Sequence, residues 1–185
     1  MQPSTLDFLK ALRQNNNRDW FSEHKNLFIQ AQQDVIGFVE LVCKECTDFD
    51  DELPKTDAKK SLFRIYRDTR FSQNKEPYKT NFGISLGMGK GNQKAGYYLH
   101  IEPGKSFVGA GIYMLESDTL RKVRKEISAF PEEFRNILAD KNFRNYFPAL
   151  DQSNALKRIP QGFEKEDPMA DYLKLKNYIV VHSLA

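Results

Sequence analysis

The chain has 185 residues, of which 40% are hydrophobic and 29% are charged, and its formal net charge is +3. This length matches a single domain over residues 1–185, which can bury a core without disulfides or metal ions. The sequence contains no run of about 18 apolar residues and begins without a basic, apolar leader. It therefore predicts a cytoplasmic protein without a signal peptide, a membrane-spanning helix or a membrane partner.

The first 46 residues show the spacing of helices. A first helix is predicted over residues 4–14, with Ser4 and Asp7 at the spacing of a capping box. Asn17 is placed to cap a long second helix over residues 18–46, whose apolar positions recur with a period near 3.6. The regular period predicts that this helix lies with one face on the core.

Cys43 and Cys46 form a C-x-x-C pair inside the second predicted helix. Reactive thiols of this type need a helix N-terminus, and a zinc site would need two further ligands in a chain with only three histidines. We therefore predict two reduced structural thiols and no metal site.

The middle of the chain alternates like strands. Over residues 61–71 the pattern places Phe63, Ile65 and Phe71 on one face, and on the other face it places Arg64, Tyr66, Asp68 and Arg70. Further strands are predicted over residues 82–86, 97–102, 106–113 and 178–181. The glycine-rich segment 87–96 is predicted to be a hairpin loop, because it lacks the lysine ending of a phosphate-binding loop and joins two strands.

The remaining segments are mostly helical. Helices are predicted over residues 117–130, from residue 131 onward, and over 167–176, whereas residues 141–163 are predicted to be irregular. The order of elements predicts an α+β fold with an antiparallel sheet of four to five strands, packed on one face by the N-terminal and C-terminal helices.

Positive charge is concentrated in the predicted sheet. Residues 59–105 contain ten Lys or Arg and three Asp or Glu, a local charge of +7, and the rest of the chain carries −4. This asymmetry predicts an anionic partner near the sheet.

The polar face of the sheet is the candidate site. Arginine suits such a site because its planar fork binds carboxylate or phosphate through two bonds, and glycines in a strand leave room for a ligand or another backbone. The alternative, a solvated face held by cross-strand ion pairs worth about 0.2–1 kcal/mol each, stays open. His100 and Glu102 are weak candidates for a catalytic acid or base, and the predicted ligand-binding residues are Arg64, Asp68, Arg70, Lys79, Tyr98, Gly109 and Gly111.

Four stretches of the sequence, in this order, resemble a known family: NNNRDWF, RIYRDTRFSQNKEPYKTNFG, GYYLHIEPGKSFVGAGIYM and LRKVRKEI. The family consists of conserved hypothetical proteins and is called domain of unknown function 2461. The resemblance covers essentially the whole chain and implies one α+β domain found mostly in bacteria. It implies no activity and supplies no catalytic residues, and it implies a further helical segment after the position of Ala185.

Three hypotheses about function follow from these patterns. The first is binding of an anionic small molecule, bearing phosphate or carboxylate, on the polar sheet face, with no cofactor. The second is a hydrolase or transferase that uses the same groove, although no side chain carries the signature of a nucleophile or general base. The third is a nucleic-acid or protein interaction module. A sequence pI near 8.7 and the lack of an RNP-type motif count against nucleic acid without excluding it. The oligomeric state is left open.

Overall fold

The structure, a computed structural model, describes residues 1–51, 53–87 and 95–184. It contains helices and a four-stranded antiparallel sheet with the strand order β1-β2-β3-β4, which confirms the predicted α+β class. The helices are α1 Pro3–Gln14, α2 Arg18–Glu23, α3 Lys25–Glu45, α4 Ala58–Ser61, α5 Ser117–Ala129, α6 Pro131–Ala139, α7 Lys141–Tyr146 and α8 Ala170–Leu173. The strands are β1 Phe82–Leu86, β2 Gly96–Ile101, β3 Phe107–Ile112 and β4 Tyr178–Ser183, and Leu53–Lys55 form a 3-10 turn.

The backbone divides into two compact units. Unit 1 comprises Met1–Gly89, Tyr98–Val108 and Ser183–Ala185, and unit 2 comprises Lys90–Tyr97 and Gly109–His182. The single domain over residues 1–185 therefore stays a prediction.

In unit 1, α1 begins one residue earlier than its predicted start. Gln2 occupies the N-cap position without a side-chain capping bond, so the predicted capping box of Ser4 and Asp7 is wrong. Pro3 fits the first helical position because its missing N–H would have no helical partner there. The Thr5 hydroxyl and the Gln2 N–H both donate to the Asp34 carboxylate, at 2.5 and 2.7 Å, and attach the start of α1 to α3.

The second predicted helix is two helices that meet at His24. The prediction that Asn17 caps α2 is confirmed, because its side-chain oxygen accepts a hydrogen bond from the Trp20 N–H at 2.9 Å. At the break, the His24 ring stacks on the Trp20 ring with 4.2 Å between centroids. Helix α3 then buries Val35 and Val39 completely, as the period of its apolar residues predicted.

The predicted strand over residues 61–71 is wrong. This segment makes only isolated bridges, between Leu62 and Ile84 and between Tyr66 and Tyr78. Pairing ends where Pro77, which has no N–H to donate, faces Arg67, and the residues between them form a loop.

The predicted faces of this segment also fail. Ile65 is buried as expected, but Phe63 is 50% exposed and Phe71 is 95% exposed. Both aromatic rings therefore remain available at the surface of unit 1.

Strands β1 to β4 lie close to their predicted positions. Most of the predicted hairpin loop over residues 87–96, namely residues 88–94, lies outside the described residues. On β1, Phe82, Ile84 and Leu86 are buried, as the alternation predicted.

Unit 2 contains one helix that the sequence reading missed and one that it made too long. Helix α7 lies inside the segment predicted to be irregular, and the Asp140 carboxylate caps it by accepting from the Phe143 N–H at 2.8 Å. The helix predicted over residues 167–176 is reduced to α8, because the Asp167 side chain binds the Met169 N–H and the Ser128 hydroxyl instead of continuing a helix. The core of unit 2 consists of Ile127, Met169, Leu173, Leu175 and Tyr178.

The helices in residues 1–51, 53–87 and 95–184 are too short or too polar to cross a lipid bilayer.

Candidate functional site

Unit 1 contains a cavity of about 400 Å³ next to β1 and β2. Two cationic side chains, one carboxylate and several neutral polar groups surround it, together with an aromatic ring. The cavity is lined by Phe63, Arg67, Asp68, Lys79, Asn81, Gly83, Tyr98 and His100.

Gly83 forms the floor of the cavity on β1. A Cβ atom added at this position would lie 2.6 Å from the Tyr98 hydroxyl oxygen and 3.2 Å from Cδ2 of Phe63. At these distances a Cβ would force the Tyr98 hydroxyl to move and would crowd the Phe63 ring, so glycine lets the Tyr98 side chain cross this strand without displacement. The cavity therefore depends on the absence of a side chain at position 83.

Strand β2 supplies a row of polar side chains to the same face. Tyr98, His100 and Glu102 are two residues apart, and alternate residues of a strand point to one side of the sheet. The Tyr98 hydroxyl lies 3.3 Å from Nδ1 of His100, and Nε2 of His100 lies 2.8 Å from Oε2 of Glu102. Arg13, in the last turn of α1, donates to Oε1 of Glu102 at 2.6 Å.

The His100 ring has a fixed orientation. Phe107 on β3 stacks on it with 4.7 Å between centroids and an angle of 11° between the planes. An ionised carboxylate accepts hydrogen bonds and cannot donate them, so opposite Glu102 a neutral imidazole carries its proton on Nε2 and leaves Nδ1 as an acceptor. Nδ1 faces Tyr98 and also lies 3.4 Å from the side-chain nitrogen of Asn81.

Lys79 is the cation that faces the cavity without an acidic partner. Its Nζ lies 5.4 Å from the centre of the Phe63 ring, and no carboxylate among the described residues comes within ion-pair distance. Burial lowers the pKa of Lys79, and the positive charge of Arg64 acts in the same direction. The ammonium group thus sits where an additional negative charge would stabilise it.

The other cations near the cavity are already engaged. Arg67 donates to the Glu76 carbonyl at 3.3 Å and lies 3.7 Å from the Glu76 carboxylate. Arg70 forms a two-pronged pair with Asp68, with bonds of 3.0 and 2.7 Å, and hydrogen bonds from Arg70 hold the pKa of Asp68 below its usual range. Both arginines therefore hold the loop that borders the cavity.

The cavity brings together some of the predicted site residues and not others. Four of them line it, namely Asp68, Lys79, Tyr98 and His100, and Glu102 stands behind His100. Arg64 and Arg70 are not among the lining residues, and the charge of Arg64 reaches the site through its effect on Lys79.

Gly109 and Gly111 belong to unit 2 and do not line the cavity of unit 1. A Cβ at Gly111 would lie 2.0 Å from the Tyr178 carbonyl oxygen, and its φ of +126° favours glycine. The space at Gly111 is therefore used by the backbone of β4.

Sequence reasoning missed several residues of the site, namely Arg13, Phe63 as a wall, Arg67, Asn81 and Gly83. A signal existed for two of them, because Asn81 and Gly83 flank Phe82 on β1 and so face away from the buried residues. Nothing in the sequence indicated that Arg13 belongs to the site, since it lies on α1, 89 positions before Glu102.

The C-x-x-C pair lies elsewhere in unit 1. Cys43 is buried in α3, and burial raises the pKa of its thiol, so the thiolate that redox chemistry needs is disfavoured. Throughout residues 1–51, 53–87 and 95–184, no three His, Cys, Asp or Glu side chains gather closely enough to hold a metal ion.

A family model described as conserved hypothetical protein (DUF2461) matches residues 4–185, and the chain belongs to this family. Neither a curated protein nor a solved structure matches the chain. The family description names no activity, so any function has to be argued from the site itself.

Proposed function

We propose that this member of the DUF2461 family is a cytoplasmic protein that binds an anionic small molecule, bearing phosphate or carboxylate, in the cavity of unit 1. The observation that carries the proposal is Lys79, a partly buried ammonium group that faces a cavity of about 400 Å³ without a carboxylate partner among the described residues. Such a group loses hydration on folding, and a bound anion would offset that loss.

The neutral groups around Lys79 support the same ligand class. Burial raises the pKa of Tyr98, so its hydroxyl stays protonated at neutral pH and can donate a hydrogen bond to an oxyanion. The Asn81 amide contributes a further donor in the lining. The carboxylate of Asp68 also borders the cavity, but its charge is largely occupied by Arg70.

The proposal is tested by thermal unfolding in increasing phosphate at constant ionic strength, with chloride as the reference salt. Phosphate should raise the Tm of the wild type in a saturable way, because a ligand that binds only the native state stabilises by mass action. At about a hundredfold excess over Kd the gain is about 2.7 kcal/mol, or roughly 5–10 °C for a chain of this size.

Lys79→Met is the informative variant, since it keeps most of the side-chain volume and removes the charge. It should abolish the saturable rise, whereas the matched variant Lys59→Met, at an exposed lysine on α4 outside the cavity lining, should retain it. Phosphate also favours compact states by general exclusion from protein surfaces, so the comparison between the two variants is made in the same buffers. Identical curves for wild type and Lys79→Met would contradict the proposal.

A second candidate function, a hydrolase or transferase in the same cavity, has one specific observation in its favour. Glu102 holds Nε2 of His100 at 2.8 Å and leaves Nδ1 as the acceptor that faces Tyr98 and Asn81 in the cavity lining. A substrate hydroxyl or water that replaced the Tyr98 hydroxyl at Nδ1 would meet an oriented general base. This function predicts hydrolysis of p-nitrophenyl phosphate or a p-nitrophenyl ester, with loss of turnover in His100→Gln. If phosphate stabilises the wild type but the wild type hydrolyses neither substrate, anion binding without catalysis would be the remaining function.

A further inference from the structure

We propose that the loop over residues 68–76 of unit 1 docks single-stranded nucleic acid, with a base stacked on Phe71 and phosphates held by the neighbouring basic side chains. The loop borders the cavity and shares Asp68 with it, but the residues proposed to contact nucleic acid, Arg70, Phe71 and Lys75, do not line the cavity. The inference therefore goes beyond small-molecule binding and does not depend on it.

The loop has a defined geometry of its own. Two backbone bonds close its base, from the Arg67 N–H to the Pro77 carbonyl and from the Lys79 N–H to the Ile65 carbonyl, each at 2.8 Å. Inside the loop, Nζ of Lys75 donates to the Thr69 carbonyl at 3.0 Å.

Further bonds fix the two ends of the loop. Asp68 accepts from the Arg70 backbone and side chain, and the Asn74 side-chain oxygen accepts from the Glu76 N–H at 2.8 Å. The side chains that these bonds position therefore have a preferred arrangement before any partner arrives.

Phe71 is the apolar residue that this ordered loop leaves outside. Its side chain is 95% exposed, although burying a phenylalanine stabilises a fold by about 1.5–3 kcal/mol. The guanidinium of Arg70 lies 5.8 Å from the centre of its ring. Tyr66, at the base of the loop, is a second exposed ring at 54%.

Aromatic rings next to cations are the chemistry that recognises single strands. Unpaired bases stack on exposed aromatic side chains for about 1–3 kcal/mol each, and Lys and Arg neutralise the phosphates between them. Residues 64–79 carry five basic and two acidic side chains, and outside the cavity lining three basic and one acidic side chain remain, so the surface around Phe71 is complementary to a polyanion. The pI of the whole chain is less informative here than this local excess.

A membrane surface is a weaker match for the same loop. A single phenylalanine supplies little insertion energy, and stable anchoring to a bilayer takes at least two signals. An acidic protein segment would satisfy the cations but lacks flat rings to cover Phe71. Binding to a membrane surface remains as an outcome that the experiment separates from nucleic acid.

The chain supplies a matched control residue. Phe49 is also an exposed phenylalanine of unit 1, at 68%, but its sequence neighbours are Asp48, Asp50 and Asp51. The negative charge around it repels phosphates, so stacking of a base on Phe49 is disfavoured. Phe49→Ala and Phe71→Ala remove the same ring from surfaces of opposite charge.

The experiment measures fluorescence anisotropy of a labelled oligothymidylate of about 12 nucleotides, a length within the usual site sizes for single strands. The comparison ligand is an abasic oligonucleotide of the same length and charge. The wild type should bind oligothymidylate more tightly than the abasic strand. Phe71→Ala should weaken oligothymidylate binding roughly tenfold and leave abasic binding unchanged. Phe49→Ala should match the wild type.

Arg70→Ala separates charge from stacking. This substitution should weaken the binding of oligothymidylate and of the abasic oligonucleotide to a similar degree. It should also reduce the slope of log affinity against log salt concentration by about 1. Equal binding of the two strands by the wild type would overturn the proposal, because charge alone would explain it. No binding of either strand, or Phe71-dependent binding to anionic vesicles in place of oligonucleotide, would also overturn it.

Thermal unfolding in phosphate distinguishes this proposal from the cavity proposal. The rise in Tm with phosphate should be the same for Phe71→Ala and the wild type, so failure of this proposal and failure of the cavity proposal give different results.

Discussion

Lys79 in the cavity of unit 1 and Arg124 in the core of unit 2 are both cations without a carboxylate partner among the described residues, yet their surroundings differ. Arg124 on α5 is only 8% exposed, and its Nη2 donates to the Leu175 carbonyl at 2.9 Å. Its Nε is a buried nitrogen without a partner among the described residues. Lys79 instead faces a cavity that a ligand can enter.

The difference separates an architectural cation from one that is available for binding. Arg124 donates to a backbone acceptor, the Leu175 carbonyl. Losing Arg124 would leave this buried carbonyl without its donor and the surrounding core less well packed. For Lys79 the carboxylate in the cavity lining, Asp68, is bound by Arg70, so losing Lys79 should affect a ligand more than the fold. The stabilities of variants at these and neighbouring positions test this difference.

Ile84→Asp should lower the stability most, because it places a charge in the core, where it has no ion-pair partner and no contact with the cavity. Ile84 on β1 is fully buried, one residue from the cavity floor at Gly83. Ile84→Asp should cost more than about 4 kcal/mol and unfold unit 1, because an unpaired carboxylate would enter the core. Urea unfolding followed by circular dichroism measures the loss, with Ile84→Val as a control expected to cost about 0.5–1.5 kcal/mol. If Ile84→Asp showed the same urea unfolding curve as the wild type, Ile84 would not lie on the buried face of β1.

Removing the buried arginine should come next in size. Arg124→Ala is expected to lower the free energy of unfolding by about 2–3 kcal/mol, since it leaves the Leu175 carbonyl without its donor and opens space in the core. Lys125→Ala, at the adjacent exposed position, should stay within about 0.5 kcal/mol of the wild type. Chemical denaturation of both variants provides the comparison. Equal stability of the two would mean that Arg124 has no architectural role.

A methyl group on the cavity floor tests the geometry of the site. Gly83→Ala should cost about 1–2 kcal/mol and displace the Tyr98 side chain, because the new Cβ would lie 2.6 Å from its hydroxyl. Phosphate should then fail to raise the Tm. Gly37→Ala, in α3 where a Cβ would meet nothing within 4 Å, should instead stabilise the protein by about 0.4–1 kcal/mol. Retained phosphate stabilisation in Gly83→Ala would place the anion elsewhere.

The smallest expected effect on stability is that of Lys79→Met, below about 1 kcal/mol, since Lys79 has only partial burial and no ion pair to lose. Its sign depends on pH. The pKa of Lys79 is lower in the folded state than in the unfolded state, so folding opposes protonation and the charged side chain destabilises the native state at neutral pH. This cost should disappear as the pH rises through the folded pKa to the unfolded value of about 10.4.

The measurement is therefore the difference in unfolding free energy between wild type and Lys79→Met from pH 7 to pH 10.5. At pH 7 the variant should be equal to the wild type or slightly more stable, and the difference should shrink towards high pH. A variant that is clearly less stable at pH 7 would assign Lys79 an architectural role like that of Arg124.

The sequence predicted the fold where one physical pattern dominated. The period of α3, the alternation of β1 and β2 and the cap at Asn17 all involve local spacing, and the structure confirms them. Residues 61–71 also alternate, but the alternation there does not produce a strand. Side chains such as Asp68 and Asn74 bind nearby backbone N–H groups and compete with sheet pairing, which periodicity alone does not register.

Part of the membership of the cavity was predictable from the sequence, whereas its anionic ligand stays a prediction. The excess of cations in residues 59–105 indicated an anion partner, and Lys79, Tyr98 and His100 do line one cavity. The arginines could not be assigned from sequence, because Arg70 and Asp68 are two residues apart and their pairing depends on the turn of the loop. Arg13 could not be predicted at all, since its contact with Glu102 requires α1 to be placed next to the end of β2.

The bond between Arg13 and Glu102 has a consequence for the order in which unit 1 assembles. Its two ends are separated by 89 positions, so closing this contact costs more chain entropy than pairing β1 with its neighbours in sequence. We therefore expect it to form after the folding transition state, and His100 to gain its final orientation only then. An anion bound in the completed cavity would accordingly slow unfolding without speeding folding, and would increase the kinetic stability of the native state.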